Sequence, residues 1–537
     1  GASHHRPSVT RTTPRHATPQ QDYRPARMEE ETLTLTALLK AAAAAHPSRR
    51  AIAVHGKIDL THADLDALVD AAASRLAAGT DGVRPGQTVA LCFPNTVELV
   101  VMFLAVIRAR GVAAPLNPAY TQEEFEFYLS DSEARLLVTN AEGNAAAQAA
   151  AAKLGLVHAA TTTLLDPAGP LHLDLASLPS QSQSQEEEEA AKKENEASDV
   201  ALFLHTSGTT SRPKGVPLTQ RNLAASVRNI RAVYRFVETD ATVVTLPLFH
   251  VHGLLCALLS SLAAGAAVTL PAGGRFSAST FWADMRAAGA TWYTAVPTIH
   301  QIILDRHASK PEEAQAHRPP LRFVRSCSAS LAPVILERLE SALGAPVLEA
   351  YAMTEASHMM TSNPLPQDGP RKPGSVGRPA GRMELAVLDT DGNEAFAHGW
   401  FHTGDIGVRD PEDDEGLGYL RLVGRIKELV NRGGEKISPI EVDSVLLSHP
   451  DVAQAVAFGV PDDKYGEEIH CAVIPRDGVE MREEEVLAFC RRNLAAFKVP
   501  KKVYIADDLP KTATGKIQRR IVSQHFFVPP AAAAAKA

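Results

Sequence analysis

Hydroxyl groups, glycines and one lysine are concentrated between Leu204 and Val216, in the run LHTSGTTSRPKGV. Gly208 and Gly215 allow positive φ and a close approach of the backbone, and Lys214 adds a positive charge. Because N–H groups exposed in such a loop form an anion-binding concavity, the run predicts a polyphosphate site. Its spacing differs from G-x-x-x-x-G-K-[ST], which disfavours a Walker-type NTPase. Taken alone, the run also fits an ordinary polar surface loop.

Five further runs of polar and charged residues follow at wide spacing. They are YAMTE (351–355), FHTGD (401–405), GRIKE (424–428), NRGG (431–434) and PKTATGK (510–516). In this order, and with the first run, they resemble the adenylate-forming superfamily, which contains acyl-CoA synthetases, firefly luciferases and peptide-synthetase adenylation domains. The resemblance extends from about residue 35 to about residue 525. It implies that the chain uses ATP, Mg²⁺, coenzyme A and a small carboxylic acid.

The resemblance implies a reaction in two steps. A carboxylate attacks the α-phosphate of Mg-ATP to give an acyl-adenylate and pyrophosphate, and coenzyme A then displaces AMP. Charge that develops on phosphorus is stabilised by preplaced cations and donors. By resemblance, Lys516 bridges the acyl carboxylate and the α-phosphate, and the flexible pair Thr514-Gly515 lets it enter the site. The alternative for Lys516 is a solvated surface lysine.

The nucleotide contacts are implied in the same way. Glu355 resembles the carboxylate that holds Mg²⁺, a hard cation that prefers oxygen ligands, Thr354 contacts the α-phosphate, and Tyr351 stacks on adenine. The expected catalytic residues are Lys516, Thr354, Glu355 and His250. The expected ATP-binding residues are Thr206, Ser207, Gly208, Thr209, Thr210, Lys214, Glu349, Ala350, Tyr351, Thr354, Asp405 and Arg425.

Residues after position 400 are expected to bind the ribose and to allow movement. Asp405 resembles the carboxylate that accepts both ribose hydroxyls in charge-assisted bonds, and Arg425 resembles a second contact; a surface Arg–Asp pair is the alternative. Lys427 occupies the hinge position of the family, where few residues absorb a large backbone change. Gly433 and Gly434 let the pantetheine arm of coenzyme A pass close to the backbone.

Polar residues occupy the runs that line the family's acyl pocket. The acid is expected to contact His250, Ser328, His358 and Lys516. Unpaired buried hydroxyls and imidazoles are costly beside a fatty chain, so a short acid with a second carboxylate is favoured. The runs YAMTEASHMMTSNPLP, RSCSASLAP and LFHVHGLL resemble oxalyl-CoA synthetases of plants and fungi, which implies oxalate. A 4-coumarate-like or medium-chain acid is the alternative, and His252 is expected to be a satisfied core or surface residue rather than a metal ligand.

Strands and helices alternate from Ala51 onward, with capping boxes predicted at Thr61 and Thr121. We expect an α/β fold with a large N-terminal domain of helix-covered, mainly parallel sheets plus a small β subdomain, and a smaller mobile C-terminal α/β domain. The expected boundaries are a disordered leader at 1–30, the N-terminal domain at 31–425, the C-terminal domain at 426–525 and a tail at 526–537. The polar segment 180–198 is expected to be a mobile connection.

The resemblance breaks between Asp391 and Glu394, inside the small β subdomain expected at 377–423. Relatives have additional strands here, so the subdomain is expected to be shortened, with sheet edges left unpaired. Two hypotheses follow: an active acid–CoA ligase, or a weakly active or inactive isoform that still binds nucleotide. A peptide-synthetase adenylation domain is disfavoured because no carrier domain follows Lys516.

Composition limits the class and the compartment. A net charge of -8 argues against a nucleic-acid binder, and no apolar run is long enough to span a bilayer. Five scattered cysteines predict a reducing compartment. The cytoplasm is favoured, because the final AKA is not a peroxisomal SKL signal. The leader 1–27, which precedes Met28, is interpreted as a remnant, or alternatively as a plastid transit peptide.

Overall fold

The computed structural model describes residues 9–11, 33–78, 82–164, 172–175, 194–206, 213–388, 396–397, 399–410, 418–512 and 515–527. The α-helices are α1 Leu35–Ala45, α2 His62–Ala77, α3 Val97–Arg108, α4 Gln122–Asp131, α5 Ala145–Lys153, α6 Gln220–Tyr234, α7 Ser260–Leu262, α8 Phe281–Ala288, α9 Pro297–Ser309, α10 Pro311–His317, α11 Pro333–Leu343, α12 Pro439–Leu447, α13 Glu483–Asn493 and α14 Arg519–Phe526. A π-helix, His252–Leu259, precedes α7. Within these residues, every helix is too short or too polar to cross a membrane.

The strands before residue 380 are β1 Val9–Arg11, β2 Arg50–Val54, β3 Ile58–Thr61, β4 Thr88–Cys92, β5 Val112–Leu116, β6 Ala134–Thr139, β7 Val157–Leu164, β8 His172–Leu175, β9 Val200–Thr206, β10 Lys214–Thr219, β11 Ala241–Val243, β12 Ala267–Leu270, β13 Trp292–Ala295, β14 Phe323–Ser326, β15 Val347–Met353, β16 His358–Ser362 and β17 Arg378–Pro379. The later strands are β18 Ala386–Leu388, β19 Phe396–Ala397, β20 Trp400–Phe401, β21 Asp405–Arg409, β22 Leu420–Arg425, β23 Val430–Arg432, β24 Glu435–Ile437, β25 Val452–Asp462, β26 Gly466–Pro475 and β27 Lys502–Ile505.

Three sheets form the N-terminal part, in the strand orders β10-β9-β5-β4-β6-β7-β8, β11-β12-β2-β3 and β13-β14-β15-β16-β17. The central pairs of the first sheet are parallel, as are β13-β14 and β14-β15. The expected α/β fold with mainly parallel sheets is therefore confirmed. Both predicted capping boxes are present, at Thr61 and Thr121, where each side chain accepts a bond from the first helical turn.

The main core lies between the first two sheets. Helix α3 reads VELVVMFLAVIR, and 10 of its 12 residues are buried. A helix that is apolar all round must be covered on every side, and the cluster around α3 contains Ile52 from the second sheet and Leu91 from the first. A separate cluster in the C-terminal part packs Val442 and Val486 from α12 and α13 against Ile469 of β26.

Segments outside the regular α/β pattern differ from the expectations in detail. Val9–Arg11 pairs antiparallel with Ala386–Leu388, so these three residues do not match the disordered leader expected at 1–30. Residues 194–198, the end of the connection expected to be mobile, are held in place, because Asn195 Nδ2 donates to Ile107 O at 2.6 Å and Arg110 pairs with Glu196 at 2.8 Å.

The region expected to form one small β subdomain contains separate two-stranded sheets, β19-β20 and β21-β22, and β18 pairs with β1. Asp391 and Glu394, between which the resemblance breaks, lie outside the described residues.

Candidate active site

The two ends of the predicted phosphate run lie on antiparallel strands of the first sheet. Thr206 ends β9 and lies directly across from Lys214, which begins β10 and is exposed. Strand β10 also contacts the 3₁₀-helix Thr354–Ala356. Strand β10 is therefore next to the predicted magnesium residue. Four of the expected ATP-binding residues lie outside the described residues: Ser207, Gly208, Thr209 and Thr210.

Tyr351, Asp405 and Arg425 are brought together. Tyr351 Oη donates to the Asp405 carboxylate, and Arg425 Nε lies 3.2 Å from the other carboxylate oxygen. Asp405 and Arg425 are direct cross-strand partners at the ends of β21 and β22. Burial raises the pKa of Asp405, against the opposing effect of Tyr351 and Arg425. The carboxylate keeps free acceptor capacity, because an ionised carboxylate has about four lone-pair sites.

Glu349 and Ala350 precede Tyr351 on β15 and are buried. Burial raises the pKa of Glu349 to about 8, although the backbone N–H of Gly374 donates to it at 2.8 Å. A carboxyl group with this pKa is mostly protonated at neutral pH, so Glu349 can donate a hydrogen bond as well as accept one.

The strand β15 leads directly into the 3₁₀-helix that contains Thr354 and Glu355. Thr354 is buried and Glu355 is exposed. One carboxylate and one hydroxyl fit Mg²⁺, since this ion is usually held by one or two carboxylates together with substrate phosphates. The donor set therefore suits a metal that arrives with a nucleotide.

His250, Ser328 and His358 lie around one pocket at the carboxyl ends of β13, β14 and β15. His250 precedes the π-helix, Ser328 follows β14, and His358 begins β16. Among the described residues, six non-glycine residues have positive φ, and this pocket contributes three of them: Ser328 (78°), Ser357 (52°) and His358 (89°). Backbone in this region costs energy for residues with a side chain, and such strain concentrates at functional sites.

The hydrogen bonds of His250 identify which of its nitrogens bears the proton. The backbone N–H of His252 donates to His250 Nδ1 at 3.2 Å, so Nδ1 is an acceptor. Burial, with the charge of Lys516, lowers the pKa of His250 to about 3, which keeps the ring neutral. A neutral imidazole that accepts at Nδ1 has its proton on Nε2. His250 therefore offers an N–H donor from Nε2.

His252, expected to be a core or surface residue without a site role, is buried and is part of the pocket wall. Its Nδ1 lies 3.0 Å from Ser328 Oγ, its ring stacks on His358 with centroids 5.0 Å apart, and Arg325 Nη1 lies 2.9 Å from its Nε2. Sequence reasoning did not select Arg325. The available signal was a charged residue inside the otherwise apolar strand FVRS.

Lys516 interacts electrostatically with a residue of the acyl pocket and with a residue of the nucleotide set. Its charge lowers the pKa of His250, and its own pKa is lowered to about 8 by burial, with a further contribution from Arg425. The loop before it is fixed to α9, because Thr298 Oγ1 donates to Gly515 O at 2.7 Å. Gly515 has φ of 80°, and a side chain there would meet Thr298 Oγ1 at 3.2 Å. Lys516 therefore enters between the two halves of the site on a loop that needs glycine.

Gly433 and Gly434 form the exposed turn between β23 and β24, with φ of 59° and 99°. Within the described residues, their N–H groups donate to Tyr465 O and Asn431 Oδ1, and not to the residues of the acyl pocket. Lys427 is exposed on the 3₁₀-helix Ile426–Glu428, which joins β22 to β23. The structure thus places the predicted hinge at the junction of the two parts of the chain.

Comparison with known families decides the class of protein. The family model described as AMP-binding enzyme matches residues 39–413, and the model described as AMP-binding enzyme C-terminal domain matches residues 441–516. The chain belongs to the AMP-binding enzyme family. This confirms the membership of the adenylate-forming superfamily that the ordered runs predict.

Two curated relatives of this AMP-binding enzyme are highly similar over nearly the whole chain. It is 63% identical to the oxalate–CoA ligase of Arabidopsis thaliana, over 93% of this chain and 99% of that one. It is also 63% identical to the probable CoA ligase CCL9 of Humulus lupulus, over 92% of this chain and 97% of that one. Among solved structures, ATP-bound MatB from Rhodopseudomonas palustris has a TM-score of 0.75 and 29% identity, over 92% of this chain and 99% of that one.

Proposed function

We propose that this chain is an ATP-dependent oxalate–CoA ligase, which converts oxalate, ATP and coenzyme A into oxalyl-CoA, AMP and pyrophosphate. The observation that carries the proposal is the acyl pocket, to which His250, Ser328, His358 and Lys516 supply polar groups, with His358 fully buried. The names of the two similar ligases support an acid–CoA ligase, and the name of the A. thaliana relative supports oxalate.

The pocket favours a second carboxylate over a hydrocarbon chain. His250 offers an N–H from Nε2, and His358 Nε2 is buried with no hydrogen-bond partner among the described residues. A hydrocarbon chain would leave such groups unpaired at a cost of about 1–3 kcal/mol each. An ionised carboxylate only accepts hydrogen bonds, so it is complementary to this set of donors.

In the first step, a carboxylate oxygen of oxalate attacks the α-phosphorus of ATP. An O–P bond forms to the acid and the P–O bond to pyrophosphate breaks, giving oxalyl-AMP. Lys516 is placed to neutralise the two anions that must meet, and Thr354 donates to the α-phosphate. Glu355, with Thr354 beside it, would hold Mg²⁺, which supplies charge neutralisation of the phosphates.

In the second step, the sulfur of coenzyme A attacks the carbonyl carbon of oxalyl-AMP, and the C–O bond to AMP breaks. We propose that the N-terminal domain, 31–425, and the C-terminal domain, 426–525, turn about Lys427 between the two steps. The exposed turn at Gly433 and Gly434 would then let the pantetheine arm pass close to the backbone.

A pyrophosphate-release screen tests the proposal. The purified protein is given ATP and Mg²⁺ with oxalate, malonate, 4-coumarate, octanoate or acetate, with and without coenzyme A. We expect oxalate to be the best acid. Faster turnover of octanoate or 4-coumarate would show that the donors in the pocket do not select the substrate.

The shortened region leaves a second candidate, a nucleotide-binding relative with weak or no ligase activity. ATP binding without oxalate-dependent pyrophosphate release would support it. Tyr351 still contacts Asp405, and His252 still contacts Ser328 of the acyl pocket, which favours the active ligase.

We also propose a cytoplasmic location. All five cysteines are free and buried in the structure, as expected for a protein that folds in a reducing compartment. Imaging of the full chain tagged at either end would test this against a plastid location.

A further inference from the structure

Arg325 is a buried cation without an acidic partner. The residue is 0% exposed, and its Nε donates to Tyr234 Oη at 2.7 Å. Among the described residues, Nη2 has no hydrogen-bond partner and no carboxylate forms an ion pair with the guanidinium. Buried charges are normally paired, because removing an ion from water costs several kcal/mol. The guanidinium of Arg325 therefore places an unpaired positive charge beside the acyl pocket.

The contact of Arg325 with His252 fixes the proton of that histidine. Arginine nitrogens only donate, so His252 Nε2 accepts from Arg325 Nη1 at 2.9 Å, and the Thr294 hydroxyl, 2.6 Å from the same nitrogen, donates to it as well. Burial and the charge of Arg325 lower the pKa of His252 well below 6.5, so the ring is neutral. Its proton is then on Nδ1, which lies 3.0 Å from Ser328 Oγ. His252 therefore donates to Ser328.

This bond determines what Ser328 can do in the pocket. A serine hydroxyl that accepts one hydrogen bond still has its own proton to donate. The backbone of Ser328 is held in the left-handed region at φ of 78°. Such strain persists only where the surrounding structure fixes a residue. Ser328 is thus oriented as a donor, the role that a carboxylate needs.

We propose that Arg325 and His252 are positioning residues that select an acid with a second carboxylate. Arg325 supplies the balancing charge, and His252 orients Ser328 as a donor to that carboxylate. The inference rests on the proposed function and names residues outside the contacts already assigned to the acid. His358, stacked on His252, lies in the field of the same guanidinium, which together with burial lowers the pKa of His358 and keeps its ring neutral.

The test compares oxalate with glycolate, an acid of similar size that has one carboxylate. Arg325→Met removes the charge and keeps most of the volume, whereas Arg325→Lys keeps the charge. We expect Arg325→Met to lower the ratio of kcat/KM for oxalate to that for glycolate at least tenfold, with little change in KM for ATP. Arg325→Lys should recover part of the ratio.

A matched control is Arg322→Met, three residues earlier, because Arg322 Nη1 is already neutralised by Asp240 at 2.6 Å. This variant should lose stability without changing the ratio of the two acids. A second pair of variants keeps the test usable if the Arg325 variants do not fold. His252→Asn keeps an N–H near the Nδ1 position, and His252→Leu removes it. The ratio should fall further in His252→Leu.

An unchanged ratio in folded Arg325→Met, or equal ratios in His252→Asn and His252→Leu, overturns the assignment of these residues. If Arg325→Met does not fold, the His252 pair decides. Wild-type protein that shows no oxalate-dependent exchange of pyrophosphate overturns the proposed function and this inference together. Wild-type exchange with unaltered ratios in the variants overturns only the inference.

Discussion

The two ends of the active site handle charge in opposite ways. At the nucleotide end, Asp405 is already paired with Arg425 and accepts from Tyr351, and Arg425 is 53% exposed. At the acyl end, Arg325 is buried with no carboxylate partner in the described part of the chain. The first end holds an ion pair with one exposed member, while the second holds a buried cation with no ion pair among the described residues.

The difference indicates which end determines the choice of acid. The interaction between two charges is stronger where the effective dielectric constant is low. An anion is therefore stabilised more at the acyl end than at the nucleotide end. At the nucleotide end, Asp405 can exchange its hydrogen bonds within the protein for hydrogen bonds to the ribose, with little net change in free energy. Substitutions at the acyl end should therefore alter acid selectivity, substitutions at the nucleotide end should alter KM for ATP, and Lys516 should affect both.

Lys516→Ala is expected to have the largest effect, because this residue reaches both ends. Loss of one preorganised charge in a dry site lowers the rate roughly 10²–10³-fold. The measurement is oxalate-dependent exchange of labelled pyrophosphate into ATP, with ATP binding determined separately. Lys511→Ala is a matched control, since Lys511 pairs with Asp508 at 2.7 Å outside the site. Exchange that survives Lys516→Ala would remove this lysine from the first step.

His358→Ala tests the acyl end alone. A hydrogen bond to a charged group contributes about 1.5–3 kcal/mol, so KM for oxalate should rise roughly 10- to 100-fold. KM for ATP should change little. Initial rates with each substrate varied in turn give both constants. Equal increases in the two KM values would show that the variant disturbs the whole site and not one end.

Asp405→Asn is the converse test at the nucleotide end. The amide keeps the shape of the carboxylate but loses its charge and part of its acceptor capacity, so KM for ATP should rise about tenfold. The preference for oxalate over glycolate should remain as in the wild-type protein. A changed preference would mean that the two ends are coupled and that the comparison drawn above is wrong.

The residues of the nucleotide end could be predicted from the sequence. The roles of the residues behind the acyl pocket could not. Tyr351, Asp405 and Arg425 lie in sequence motifs that follow the order of the family, and the resemblance assigns each of them a role. The roles of Arg325 and His252 depend on contacts 73 residues apart along the chain. A sequence shows that Arg325 sits in an apolar strand, but not that its partner is a histidine.

The fold shows the same limit at its irregular segments. Capping boxes at Thr61 and Thr121 and the alternation of strands and helices are local signals, and these predictions are confirmed. The pairing of Val9–Arg11 with Ala386–Leu388 joins segments with no common pattern, and no local signal indicates it.

The pH dependence of the first step separates Lys516 from the permanent charge of Arg325. Burial lowers the pKa of Lys516 to about 8, so the ammonium form is lost as the pH rises through this value. The kcat/KM for oxalate in pyrophosphate exchange, which omits coenzyme A and its thiol, should be half-maximal near pH 8 and fall about tenfold per unit above it. Lys516→Arg should remove this fall, because an arginine stays protonated. The same alkaline fall in Lys516→Arg would assign it to another group.

Thr298→Val is expected to have the smallest effect, and it tests how Lys516 is held between the two ends. Thr298 Oγ1 donates to Gly515 O at 2.7 Å, which fixes the loop in the arrangement needed for the first step. A neutral hydrogen bond of this kind contributes about 0.5–1.5 kcal/mol, so pyrophosphate exchange should fall roughly 2- to 10-fold. Conversion of oxalyl-AMP to oxalyl-CoA should not fall, because in the proposed mechanism the C-terminal domain turns away for that step. Thr298→Ser keeps the donor and should behave like the wild type. A loss in the second step equal to that in the first would mean that Thr298 supports the fold of α9 and not the position of the lysine.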